Sequence, residues 1–196
     1  MSFFNFTKKS LGQNFLIDQN IIKKIIEIVK IDENETILEI GAGTGNLTKF
    51  IADKKPKKIY AIEKDKNLSA ILKKRFELYQ NITILNKDVF DVIDNNNFNK
   101  NIIIFGNLPY NISTQILASL TLIKKWPPWY KSLVLMFQKE VADRIVAKKG
   151  DKEFGRLSIL SNWRFNITKH FDVSKNCFRP KPKISSTVLS FSPKIK

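Results

Sequence analysis

The segment Asn107-Leu-Pro-Tyr110 combines a carboxamide, a proline and an aromatic ring within four residues. It follows the apolar run 102–105, so the pattern predicts that it lies at the end of a buried strand. An exocyclic amine on a planar base is a poor nucleophile, because its lone pair is delocalised into the ring. The Asn107 side-chain oxygen and a main-chain carbonyl could accept its two N–H bonds and draw the nitrogen toward sp³ geometry. Tyr110 would stack on the extruded base. This chemistry suits methyl transfer to an amino group and needs neither a metal nor a strong general base.

A second candidate segment is Thr36-Ile-Leu-Glu-Ile-Gly-Ala-Gly-Thr-Gly45, which predicts a buried strand and then a turn that only glycines can make. A helix beginning at Asn46 would present free N–H groups to a nucleotide-like ligand. Asn46 also stands where the dinucleotide pattern G-x-G-x-x-G has its third glycine, which argues against NAD. Glu63 ends the next apolar run and is placed to accept hydrogen bonds from ribose hydroxyls. The alternative is a glycine turn that merely packs a helix on a sheet.

The spacing of apolar residues predicts the elements that position these segments. We expect helices over 19–30, from 46, over 66–78, from 113 and over 138–148. We expect strands from 36 and over 59–62, 82–85, 102–105, 132–137, 165–171 and 186–191, the last one antiparallel. The polar stretch 91–100 is interpreted as a surface loop or weak helix, and 178–183 as irregular because of its two prolines.

Strands and helices alternate through residue 148, which predicts a parallel sheet covered on both faces. Open sheets of this kind hold ligands at the carboxyl ends of their strands. Asp88, just beyond the third strand, would lie at that edge with Glu63 and Asn107. We find no internal repeat or linker, so residues 1–196 are expected to form a single domain.

Composition narrows the class of protein. The chain carries a formal net charge of +16, which favours a polyanionic partner, although a lysine-rich solvated surface is the alternative. One cysteine, Cys177, excludes an internal disulfide and indicates a cytoplasmic protein. Cys177 and the single His170 are too few to form a Cys/His metal site. No apolar stretch is long enough to cross a membrane. The protein is expected to be a monomer.

Asn107-Leu-Pro-Tyr110 resembles the motif of amino-group methyltransferases, and in its Asn-Leu form it resembles the ribosomal RNA adenine dimethyltransferases. Further segments agree in the order expected for that family and extend the resemblance over nearly the whole chain: Gln13-Asn-Phe-Leu16, Leu38-Glu-Ile-Gly-Ala-Gly-Thr-Gly45, Gln138-Lys-Glu-Val-Ala-Asp-Arg-Ile145, Gly155-Arg-Leu-Ser158 and Phe178-Arg-Pro-Lys-Pro-Lys183. The resemblance implies an α/β, Rossmann-like class I S-adenosylmethionine-dependent methyltransferase. Its sheet would have seven mostly parallel strands, with one antiparallel strand near the C-terminus.

The resemblance also implies an activity and a role for each candidate residue. The enzyme would dimethylate N6 of two adjacent adenines in the 3′-terminal hairpin loop of small-subunit rRNA during ribosome biogenesis, with rRNA and the pre-ribosomal small subunit as partners. Six residues would bind the cofactor. Asn14 and Leu16 would close over S-adenosylmethionine, and Gly41 would approach its methionine part. Glu63 would hold the ribose, Asp88 would bind the adenine amino group, and Asn107 would lie between cofactor and target. The catalytic set is Asn107, Pro109, Tyr110 and Phe178. Phe178 would stack on the target base opposite Tyr110, unless its ring only anchors a loop. For Glu63 and Asp88 the alternative is a simple strand-end cap or a surface acid.

Two features depart from the family pattern. Ala42 stands where proline is usual, which should alter the stiffness of the turn more than its ligand. The chain also ends soon after its last predicted strand, where the family usually continues into a helical C-terminal domain, so that domain is expected to be absent. RNA contacts would then fall more heavily on basic side chains: Lys8, Lys9, Arg144, Lys148, Lys149, Arg156, Arg179, Lys181 and Lys183.

Three other functions remain open at this point. One is the related large-subunit rRNA adenine methyltransferase of the antibiotic-resistance type, although Gln138-Lys-Glu-Val-Ala-Asp-Arg144 favours the small-subunit type. A second is a non-catalytic RNA-binding or ribosome assembly factor, against which the intact Asn107–Tyr110 segment argues. An NAD oxidoreductase comes last, because it leaves that segment unexplained.

Overall fold

A computed structural model describes residues 13–95, 98 and 101–195 of the chain. Within these residues, seven strands form one sheet: β2 (Thr36–Ile40), β3 (Lys58–Ile62), β4 (Ile82–Leu85), β5 (Ile102–Asn107), β6 (Tyr130–Gln138), β7 (Phe165–Val173) and β9 (Ser186–Pro193). Their order is β4-β3-β2-β5-β6-β9-β7, and β9 runs antiparallel to the other six strands. The predicted seven-stranded, mostly parallel sheet is therefore confirmed.

Helices cover both faces of the sheet, as the alternating pattern predicts. They are α1 (Gln19–Ile26), α2 (Asn46–Ala52), α3 (Lys66–Arg75), α4 (Val89–Asp94), α5 (Ser113–Thr121), α6 (Lys139–Val146) and α7 (Arg156–Arg164). Neighbouring residues of one strand point to opposite faces. Accordingly, Leu38 and Ile40 join the apolar cluster under α4 and α5, whereas Ile37 joins the cluster under α1 and α2.

A second, two-stranded sheet pairs a segment near the start of the described chain with a segment that precedes β9. Strand β1 (Phe15–Leu16) pairs antiparallel with β8 (Phe178–Arg179), and the main-chain N–H of Ile17 donates to the carbonyl of Cys177 at 2.9 Å. The expectation that 178–183 is irregular is thus wrong for its first two residues. The prolines come only after this short strand, so they remove no donor from its pairing.

Several predicted boundaries also require correction. Helix α1 ends at Ile26 rather than at residue 30, and α3 ends at Arg75 rather than at 78. Helix α4 begins at Val89, two residues before the stretch 91–100 that the sequence predicts to be a surface loop or weak helix. Helix α7 was not predicted. Its buried positions include Ser158 and Ser161, so it lacks the apolar spacing by which helices are recognised.

Candidate active site

The glycine turn after β2 has the backbone conformation that its sequence predicts. Gly41, Gly43 and Gly45 have φ values of +72°, +57° and +80°, which side chains rarely tolerate. The main-chain N–H groups of Gly41 and Ala42 both donate to the carbonyl of Ile62, each at 3.0 Å. This ties the turn to the end of β3. Proline at position 42 could not make the second of these bonds, so alanine adds a fixed contact here.

Glu63 lies directly beneath this turn and is 7% exposed. Its Oε2 accepts the main-chain N–H of Gly43 at 2.9 Å, and its Oε1 accepts that of Asp65 at 2.8 Å. Burial raises the pKa of this carboxyl, and the two backbone hydrogen bonds work in the opposite direction. The side chain is thus held at the strand end, with acceptor capacity left on both oxygens.

Asp88 follows β4 and caps α4, because its Oδ1 accepts the main-chain N–H of Phe90 at 3.0 Å. Its Oδ2 lies 2.7 Å from Nζ of Lys64, an ion pair that the sequence analysis missed. The hydrogen bond from Lys64 lowers the pKa of the Asp88 carboxyl, which favours its charged form. Asp88 thus follows the end of β4 and also caps a helix, a role that the sequence analysis did not predict. Both Asp88 and Lys64 line the same cavity as Glu63.

Asn107 is the last residue of β5, which pairs with β2 in parallel, so it lies beside the glycine turn. Its Nδ2 donates to the main-chain carbonyl of Asn14 at 2.8 Å. Only the NH₂ end of a carboxamide can donate to a carbonyl, so this bond sets the orientation of the amide. The Oδ1 atom consequently faces away from Asn14, as an acceptor.

Residues 13–16 pass over the glycine turn and form one wall of the site. A Cβ placed on Gly43 would lie 2.9 Å from the Phe15 ring, which shows how closely this ring covers the turn. Asn46 at the start of α2 donates from Nδ2 to the carbonyl of Leu16 at 2.9 Å. Asn14 and Leu16, the residues expected to close over S-adenosylmethionine, belong to this segment.

Phe178 is placed differently from the expected stacking position. Its side chain is 1% exposed and packs in the apolar cluster that contains Leu16, Ile22 and Val188. It pairs with Leu16 through β8 and does not line the cavity beside Tyr110. The structure therefore brings Asn107, Pro109 and Tyr110 together without Phe178, whose ring anchors the β1–β8 pair.

One continuous cavity opens at the carboxyl ends of β2, β3, β4 and β5. Its walls are apolar over much of their area, and the carboxylates of Glu63 and Asp88 and the amide of Asn107 add polar groups. The predicted site residues that line it are Asn14, Gly41, Glu63, Asp88, Asn107, Pro109 and Tyr110. Leu16 lines an adjoining cleft with Gly41 and Asn107. Apolar walls with a few convergent polar groups are typical of a small-molecule site, and the acceptors of Glu63 match the hydroxyl donors of a ribose.

The basic residues proposed for RNA contact lie at several places on the surface. The exposed ones are Arg144, Lys148, Lys149, Arg156, Arg179, Lys181 and Lys183. Lys8 and Lys9 lie outside the described residues. Within the described residues, no group of three or more His, Cys, Asp or Glu side chains is arranged to hold a metal ion. No helix in this part of the chain combines the length and apolar character needed to cross a membrane.

The sheet topology and the cavity at its carboxyl edge define a class I S-adenosylmethionine-dependent methyltransferase, and solved structures of that class share the fold. The 23S rRNA methyltransferase ErmE matches 93% of this chain and 70% of its own, with a TM-score of 0.80 at 23% identity. A dimethyladenosine transferase from Plasmodium falciparum matches 92% of this chain and 63% of its own, with a TM-score of 0.79 at 35% identity.

The chain belongs to the ribosomal RNA adenine dimethylase family, whose sequence model matches residues 4–196. A ribosomal RNA small subunit methyltransferase A from Pelagibacter ubique is 50% identical over 187 residues, which are 95% of this chain and 70% of that protein. The chain thus spans about two thirds of the length of such relatives. The family that the sequence motifs indicated is confirmed.

Proposed function

We propose that the chain transfers methyl groups from S-adenosylmethionine to the N6 atoms of two adjacent adenines in small-subunit rRNA. The relative from Pelagibacter ubique is named for action on the small subunit, and this name supports the choice of substrate. The observation that carries the proposal is the orientation of Asn107, whose Nδ2 is engaged by the Asn14 carbonyl at 2.8 Å. This leaves Oδ1 as an acceptor at the place where an amino group would enter.

The residues of the cavity divide the tasks of this reaction. Glu63 would accept hydrogen bonds from the ribose hydroxyls of the donor, and Asp88 would accept one from its adenine amino group. Gly41 would let the methionine part lie against the main chain. S-adenosylmethionine supplies an electrophilic methyl group on its sulfonium centre. Holding donor and acceptor in fixed orientation accounts for much of the rate enhancement in such transfers.

At the acceptor side, Asn107 and Tyr110 would act on the target base. Oδ1 of Asn107 accepts one N–H of the adenine amino group and raises the electron density available for attack. The ring of Tyr110 stacks on the base after it leaves its own stack, and Pro109 fixes the backbone between them. All three residues line the same cavity, which supports this division of roles.

The RNA substrate, the oligomeric state and the cellular location of the enzyme are also part of the proposal. We propose the 3′-terminal hairpin loop, presented by rRNA or by the pre-ribosomal small subunit, as the substrate of a monomeric, cytoplasmic enzyme without metal. The exposed basic residues would contact phosphates, so affinity should fall by roughly 0.7 to 0.9 log units per phosphate contact for each log unit of salt. A binding constant that is flat between low and high salt would remove this role.

The test supplies tritiated methyl donor with immature small subunits or, separately, with large-subunit rRNA, and then maps the modified base. We expect label on two adjacent adenines of the small-subunit RNA. Label confined to large-subunit rRNA would establish the antibiotic-resistance type of activity instead. RNA binding without any label would favour the assembly-factor alternative.

Asn107→Ala tests the mechanism within the same assay. We expect it to abolish transfer and to leave RNA affinity nearly unchanged, because Asn107 acts on the amine rather than on phosphates. The matched control is Asn34→Ala, an exposed asparagine that precedes β2 at the opposite edge of the sheet, and it should retain full activity. Equal activity of Asn107→Ala and wild type would refute the role of the amide.

A further inference from the structure

The hydroxyl of Tyr110 is held by a residue far away in the sequence. Its oxygen lies 2.7 Å from Oγ of Ser186, the first residue of β9. Ser186 is fully buried and pairs with Gln138 of β6 on one side and with Val173 of β7 on the other. The partner of the Tyr110 hydroxyl therefore belongs to an interior strand of the main sheet, which is among the most rigid places in such a fold.

Tyr110 is also held at its main chain. Oγ of Ser113, the first residue of α5, donates to the Tyr110 carbonyl at 3.3 Å. The N–H of Ile112 donates to the carbonyl of Pro109 at 3.1 Å, which closes the turn around Tyr110. The residue is thus anchored at both ends, by Ser113 at the backbone and by Ser186 at the tip of the side chain.

The hydrogen bond to Ser186 constrains one particular degree of freedom. A tyrosine hydroxyl oxygen lies on the axis of rotation about the Cβ–Cγ bond, so holding it fixes the direction of that axis, which is set by χ1. Tyr110 is half-buried and lines the cavity beside Asn107 and Pro109. A change in χ1 would move the whole ring away from this wall.

We propose that Ser186 is a positioning residue for methyl transfer, which holds the Tyr110 ring in the place where the target adenine stacks. This inference depends on the proposed function, because it assigns the stacking role to Tyr110. Transfer rates fall steeply when a reacting group is displaced from the aligned position. Loss of one neutral hydrogen bond that maintains this alignment should lower kcat by about tenfold.

A double-mutant cycle separates positioning from a general effect on the fold. The four proteins are wild type, Ser186→Ala, Tyr110→Phe and the double variant, assayed with tritiated donor on the small-subunit substrate. Ser186→Ala should lower kcat about tenfold and leave the KM for the donor unchanged. In the Tyr110→Phe background, which lacks the hydroxyl, Ser186→Ala should have no further effect. The matched control is Ser161→Ala, a buried serine of α7, which should keep the wild-type kcat.

A spectroscopic measurement follows the stacking itself. RNA carrying 2-aminopurine at the target adenine should lose fluorescence on binding wild type, since stacking on Tyr110 quenches the base. Ser186→Ala should reduce this quenching, and thermal melting should verify that every variant is folded.

The possible outcomes are distinct. Wild-type protein that transfers no methyl group to small-subunit rRNA would overturn the proposed function itself. An active wild type with Ser186→Ala at full kcat would overturn the positioning role alone. The positioning role would also be overturned if Ser186→Ala lowers kcat equally in the wild-type and Tyr110→Phe backgrounds, because Ser186 would then act through the fold.

Discussion

Replacement of Glu39 by glutamine should change how stability depends on pH. Glu39 lies in β2, is 2% exposed, and accepts a hydrogen bond from Oγ1 of Thr48 at 2.6 Å on its Oε2. Burial raises the pKa of this carboxyl from 4.5 to about 8, against the effect of the Thr48 hydrogen bond. The folded protein therefore keeps a proton on Glu39 at pH values where the unfolded chain has lost it.

The sign of the effect follows from this difference in bound protons. Between pH 4.5 and about 8 the folded state binds the proton and the unfolded state does not, so raising the pH destabilises the fold. The contribution of the Glu39 proton to the free energy of unfolding is fully present below pH 4.5. It falls by about 1.4 kcal/mol per pH unit from there to about pH 8, and above that pH it is lost. Glutamine at position 39 preserves the size and the acceptor for Thr48 but does not titrate.

The size of this pH effect on stability is best measured as the difference in free energy of unfolding between Glu39→Gln and wild type. From pH 5.5 to 7.5 the free energy of unfolding of the variant should rise by roughly 2 to 3 kcal/mol relative to wild type, because the single-site slope acts over two pH units. Urea denaturation at both pH values, followed by tryptophan fluorescence, gives this difference. The matched control is Glu77→Gln, at an exposed glutamate after α3, whose stability difference from wild type should be similar at both pH values. A pH-independent difference for Glu39→Gln would refute the assignment of a buried, protonated carboxyl.

Three further substitutions test packing and caps by urea denaturation at neutral pH. Gly45→Ala should lower the free energy of unfolding by several kcal/mol, because φ is +80° and the new Cβ would lie 2.7 Å from the Leu72 side chain. A variant as stable as wild type would contradict this. Asp18→Ala should lower the free energy of unfolding by about 1 kcal/mol, since the Asp18 side chain accepts two main-chain N–H groups at the start of α1. Unchanged stability would show that water replaces the cap. Tyr130→Phe should cost about 1 kcal/mol, because the buried hydroxyl donates to a carbonyl of α5 at 2.6 Å; a neutral result would exclude that bond as a source of stability.

Much of the site could be predicted because its geometry follows from residue types at strand ends. Three glycines at alternating positions permit a backbone with positive φ, and the structure has that backbone at Gly41, Gly43 and Gly45. Parallel strands end at the same edge, so residues that follow separate strands meet there. Glu63, Asp88 and Asn107 meet at one cavity for this reason, although they are distant in sequence.

The unpredicted features depend on contacts that leave no local pattern. Strands β1 and β8 have two residues each, too few for the alternation by which strands are recognised. Helix α7 buries serines on its packed face; Ser158 donates to the carbonyl of Arg144 at 2.6 Å. The prolines that follow Phe178 predict an irregular segment, but pairing in β8 turns the Phe178 ring into the core and away from the site. The Lys64–Asp88 ion pair likewise depends on two strand ends meeting.

The β1–β8 pair bears directly on the chemistry proposed for Asn107. The carbonyl of Asn14, which sets the amide orientation, immediately precedes β1, and β1 is held by pairing with β8 and by Asn46. A carboxylate at position 107 would set an oxygen against that carbonyl oxygen with no proton between them, which is unfavourable in a half-buried site. The backbone of Asn14 therefore selects an amide over an acid at the end of β5. It also makes the orientation of Asn107 depend on a segment much earlier in the chain, since the two residues are 93 positions apart.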